Sequence, residues 1–76
     1  MSDRVSEVAA AIVRHLEEHP NAADTEEGIR SWWLEPGSAS AADVSGALER
    51  LIRAGSVERV QIGTRVVFRA HRAISR

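Results

Sequence analysis

No cysteine occurs in the 76 residues, which excludes disulfides and thiolate metal sites. Lysine is absent as well: all ten basic residues are arginine. Arginine is favoured for forked contacts to phosphate or carboxylate, although an all-arginine set equally suits a GC-rich genome. Aromatic residues are scarce, two Trp and one Phe, so few large side chains can build a core. No apolar run approaches the roughly 20 residues of a membrane span, and no signal peptide is visible. A cytoplasmic protein with no membrane partner is the expectation. Repeats and low-complexity tracts are also missing. A chain of this length makes one domain, 1–76, with its core within 3–70. It buries only about 60% of the surface its unfolded form exposes, so modest stability is expected.

The net charge is −1, but the charges are segregated. Residues 1–49 hold three arginines (Arg4, Arg14, Arg30) against ten acids, a net of −7. Residues 50–76 hold seven arginines against Glu58 alone, a net of +6. The pattern gives an acidic body and a basic end.

Three helical segments are expected. The first runs from about Asp3 to His19, with Ser2 as cap and Asp3 in the first turn. Val5, Val8, Ile12 and Leu16 recur at spacings of three and four and form one apolar stripe. Pro20 ends the helix, because the residue before proline is pushed out of the α region. Asn21-Ala22-Ala23 reads as a connector. Asp24 to Glu27 has capping-box spacing and opens a short second helix, Thr25 to Leu34, which Gly28 weakens. Trp32 and Trp33 point about 100° apart on a helix: either both bury edges in the small core, or one faces the core and the other is left as an interface anchor. Glu35 to Ser38 is a turn. A third helix starts near Ser40, with Asp43 completing an approximate capping box. Its stripe is Val44, Ala47, Leu48, Leu51 and Ile52, and Gly55 terminates it in the left-handed conformation.

Two strands rich in β-branched residues follow, Ser56–Ile62 and Arg65–Ala70. Gly63-Thr64 between them suits a two-residue type II′ turn. That turn pairs Ile62 with Arg65, Val60 with Val67 and Arg59 with Phe68. One face then carries Val57, Val66 and Phe68, and the other Val60, Ile62 and Val67. Only one face can cover the domain core. A three-residue loop would shift the pairing and mix the faces differently. The tail from His71 to Arg76 is expected to be loose.

Helix, helix, helix, hairpin is an order that resembles the winged helix-turn-helix superfamily. The stretch from Leu48 to Phe68 is similar to the end of a winged-helix third helix running through its wing. Leu51, Ile52, Gly55, Val57 and Phe68 stand where such domains place core residues. The resemblance covers residues 3–70. It implies an α+β fold, three helices with a C-terminal hairpin wing. It leaves function open, because the superfamily includes DNA readers and protein-interaction modules. The segment from His19 to Leu34 also resembles one found in small bacterial proteins, which implies no activity.

Signals for chemistry are weak. His15 and His19, four apart on a helix, have the spacing of a metal pair. No cysteine joins them, and a histidine at a helix C-terminus has a simpler electrostatic reason to be there. The serines fall at caps, in helices or near turns, with no Gly-X-Ser-X-Gly motif and no glycine loop to hold a phosphate. No enzyme, no cofactor and no metal is the expectation.

Two binding readings remain. In the first, the domain docks another protein through Val60, Ile62 and Val67 on the hairpin, with Trp33 as an added anchor. In the second, the third helix enters the major groove of duplex DNA, with Arg50, Arg53, Arg59, Arg65 and Arg69 on phosphates. The outer face of that helix should carry Ala42, Ser45, Gly46, Glu49, Arg50 and Arg53. Its early turns offer no Arg, Lys, Asn or Gln for base readout. The protein partner is preferred on that ground, and a homodimer is compatible with either.

Overall fold

The computed structural model describes residues 3–35 and 37–71. The chain is α+β, with three helical segments and a three-stranded antiparallel sheet. Helix α1 spans Arg4–Glu18 and buries Val8, Ile12 and Leu16, three members of the expected stripe. Its cap is Asp3, whose carboxylate accepts the Val5 N–H at 3.1 Å. The expected cap, Ser2, lies outside the described residues.

The connector after α1 contains a strand that the sequence did not signal. Strand β1, Ala23–Asp24, pairs antiparallel with the last strand. Two residues carry too little alternation to be seen in a sequence. Helix α2 is also shorter than expected. It covers Glu26–Gly28 and continues as a π-helical turn over Ile29–Trp33. Its cap is Thr25, which accepts the Gly28 N–H at 3.1 Å, so the cap falls one residue later than Asp24. Asp24 instead accepts the Thr25 N–H at 2.8 Å. The wider π turn leaves Ile29 wholly buried and Trp33 half-buried, with Trp32 turned to solvent.

Helix α3, Ala41–Ala54, follows the sequence expectation at both ends. Ser40 and Asp43 form a reciprocal capping box, both bonds 3.1 Å. Gly55 takes φ +84°, the left-handed region in which a side chain costs energy. Its buried residues are Val44, Ala47, Leu48 and Leu51. Strands β2, Val57–Ile62, and β3, Arg65–Ala70, complete the sheet in the order β1-β3-β2. Val57 and Phe68 on the inner face close one core with α1, the π turn with Leu34, and α3. The expected tail begins too early: the His71 N–H donates to the Ser56 carbonyl at 3.0 Å. Residues 72–76 lie outside the described residues.

Candidate interaction surface

The hairpin pairs Ile62 with Arg65, Gln61 with Val66, Val60 with Val67 and Arg59 with Phe68. The loop is therefore two residues long, and the three-residue alternative is excluded. Gly63 has φ +63° and Thr64 does not have positive φ, the sign pattern of a type II′ turn. The Gln61 side-chain amide donates to the Gly63 carbonyl at 3.3 Å and braces the turn.

This register divides the hairpin cleanly. Val57, Arg59, Gln61, Val66, Phe68 and Ala70 share the inner face; Glu58, Val60, Ile62, Arg65, Val67 and Arg69 share the outer one. On the outer face Val60 and Val67 are half-buried, and Ile62 keeps 61% of its surface in water. Arg69 donates to Glu58 across the strands and closes one end of the strip. Arg65 stands beside Ile62 at the other end. The three apolar residues singled out by sequence are thus brought together on one face, and no described element covers them.

The tryptophans are placed otherwise than the binding reading expected. Trp33 stacks on the His15 ring, centroids 4.4 Å apart and planes 16° from parallel, and packs against the core. Trp32 is the exposed indole, at 80%. The anchor role assigned to Trp33 therefore fits Trp32 better. Adjacent tryptophans leave that choice to the helix phase, and the π turn sets the phase. The His15 ring also lies 4.7 Å from His19. Burial holds the His15 imidazole below its ordinary pKa, the charge of His19 adds to this, and Glu18 opposes it. Among the described residues no group of three His, Asp or Glu side chains stands ready to hold a metal.

The arginines do not form one free cluster. Arg50 reaches across to α1, 3.1 Å from the Asp3 carboxylate and 2.7 Å from the Ser6 hydroxyl. The Ser6 hydroxyl and the Arg50 guanidinium together hold the Asp3 carboxyl below the usual carboxylate range. Arg69 is paired with Glu58. Arg53, Arg59 and Arg65 are left exposed. Arg53 and Arg59 line a shallow groove of about 400 Å³ between α3 and β2, together with Glu49 and Ile52. Gly46, expected on the outer face of α3, faces α1: a Cβ there would sit 3.5 Å from a Val5 methyl. The exposed residues of α3 are Ala41, Ala42, Glu49, Arg50, Arg53 and Ala54, with Ser45 half-exposed. That face has one carboxylate and no base-reading side chain in its first turns.

No helix among the described residues is long and apolar enough to cross a membrane. Compared with protein-family models, curated proteins and solved structures, the chain finds no match.

Proposed function

We propose that this chain is a non-catalytic, cytoplasmic winged-helix module that docks another protein on the outer face of its hairpin. A strand after α1 that joins the hairpin, with α2 and α3 between, is compatible with a winged-helix arrangement. The observation that carries the docking reading is the strip of Val60, Ile62 and Val67, with Ile62 61% exposed. The inner face of the same strands already supplies the core residues Val57 and Phe68, so the outer strip is not needed to close the fold. Exposed apolar side chains rimmed by charge are what a partner surface requires. The test compares wild type with Ile62→Asp as bait, and maps contacts of each retained protein by cross-linking. Retained proteins that contact the hairpin and are lost with Ile62→Asp support the reading; identical retention by both baits removes it.

Unpartnered Arg53, Arg59 and Arg65 favour duplex DNA as a second reading. A DNA reader loses affinity steeply as salt rises, in proportion to the phosphates it neutralises. Absence of binding at low salt disposes of it.

A further inference from the structure

We propose that two copies of this chain join through the free edge of β2, antiparallel and centred on Val60, into one six-stranded sheet. The sheet order leaves β2 with β3 on one side and no described strand on the other. Ile62 and Arg65 flank a two-residue loop, so they exchange backbone bonds, and the rungs alternate from there. Val60–Val67 and Glu58–Arg69 are then bonded rungs as well. The bond from His71 N–H to the Ser56 carbonyl keeps the same phase. It follows that the N–H and C=O groups of Arg59 and Gln61 point away from β3, toward the open side.

Edges of this kind are usually guarded by proline, a bulge, extreme shortness or charged side chains, inward-pointing ones included. Strand β2 has neither proline nor bulge, its six residues pairing one-to-one without interruption; its charges, Glu58 and Arg59, leave the edge usable only in a register that sets neither against its own copy. Its side chains disfavour two of the neighbouring registers. A two-fold pairing centred on Arg59 opposes Arg59 to its own copy, and one centred on Glu58 opposes Glu58 to its own copy. Like charges directly opposite are unfavourable. Centring on Val60 sets each Arg59 against a Gln61 and makes all four of their backbone groups exchange bonds. It also lines up Val67, Val60 and the same two residues of the second copy in one row on the outer face. The shallow groove lined by Glu49, Ile52, Arg53 and Arg59 leaves room beside the edge for the inward side of a second strand.

This pairing deepens the docking reading and rests on it for the use of the widened face, which stays open. In the proposed register Val60 meets Val60 at a non-bonded rung, with Cα atoms about 4.5 Å apart. That is within the span of a disulfide. The two Ile62 positions lie four residues apart along the strands, roughly 14 Å at about 3.4 Å per residue, too far to be bridged. The chain has no cysteine of its own, so single variants give an unambiguous readout. Sedimentation equilibrium of the wild type should show a concentration-dependent dimer, and Val60→Cys should oxidise to a covalent dimer while Ile62→Cys does not. Gln61→Pro, which removes an N–H unused within the chain, should return the protein to monomer with its circular dichroism unchanged. A wild type that stays monomeric, or a dimer in which Val60→Cys cross-links no faster than Ile62→Cys, overturns the pairing. A monomer whose Ile62→Asp form still loses its partners sinks the pairing and leaves the docking reading standing. A cross-linked dimer whose Ile62→Asp form keeps every partner does the reverse.

Discussion

Replacing a helical glycine by alanine ordinarily stabilises a protein, and Gly28 should be an exception. Alanine is favoured over glycine by about 1 kcal/mol inside a helix, partly because it restricts the unfolded chain. At Gly28, however, an added Cβ would overlap the Asp24 carboxylate, which is occupied in accepting the Thr25 N–H at 2.8 Å. The carboxylate must swing away and give up that bond. A hydrogen bond to a charged group contributes about 1.5–3 kcal/mol, so the loss outweighs the propensity gain. Gly28→Ala is therefore expected to destabilise by roughly 0.5–2 kcal/mol, the difference between those two effects. Asp24→Ala alone removes the same bond and costs about as much as the bond contributes. In the double variant the clash is gone and the propensity gain returns, so its loss should be smaller than that of Asp24→Ala. Urea denaturation of the four proteins measures the cycle. Additive effects, or a Gly28→Ala protein more stable than wild type, would refute the reasoning.

Three further outcomes follow from the same structure. Ile62→Asp should change stability by less than about 0.5 kcal/mol, the range of exposed sites, while Phe68→Ala, at the buried end of the same hairpin, should cost about 3–5 kcal/mol; thermal melts of the two separate surface from core. Gly55→Ala meets no neighbour within 4 Å but must hold φ +84°, so backbone strain alone should cost about 1–2 kcal/mol in denaturant melts. The folded-state pKa of His15 lies below its unfolded value of 6.5, so its contribution is fully present above 6.5 and is lost as pH falls below it and through the lower folded-state value. Denaturation midpoints followed by Trp fluorescence should therefore drop from pH 7 to pH 5, and His15→Gln should flatten the drop. Asp3, lowered from 3.8, loses its contribution only below that value and does not enter this window.

What could be read from the chain beforehand was whatever short-range chemistry specifies. Ser40 with Asp43, Gly55, and Gly63 with Thr64 each carry a local physical demand, and each expected turn or cap lies where the residues put it. The α1 and α3 stripes are long enough for their period to show. Elements set by distant contacts were not legible. Strand β1 exists because Asp24 and Ala23 lie against Phe68 and Arg69, a pairing across more than forty residues. The π turn accompanies the placement of Ile29, Trp33 and Leu34 in core or near-core positions. Exposure of Trp32 follows from that turn and from no feature of the neighbouring residues. On the hairpin, the Gly63-Thr64 turn set the register and with it both apolar faces, and only the packing of Val57 and Phe68 against the helices decided which of them lies in the core.

The segregation of charge along the chain loses part of its force once the fold is closed. Of the acids in the first half, Asp3, Asp24 and Asp43 satisfy backbone N–H groups at the starts of helices. Of the arginines in the second, Arg50 is held by α1 and Arg69 by Glu58. Among the described residues, what remains for a partner is the exposed Trp32 and a strip of three aliphatic side chains, with Arg65 beside the strip and Arg53 and Arg59 on the neighbouring groove. Rim charges of this kind guide encounter, whereas buried apolar contacts set how long a complex lasts. Raising salt should therefore slow capture of a protein partner by this chain while leaving its release almost unchanged. Removing the Ile62 side chain should do the opposite. A partner released rapidly by salt alone would instead mean that the arginines, and not the aliphatic strip, hold it.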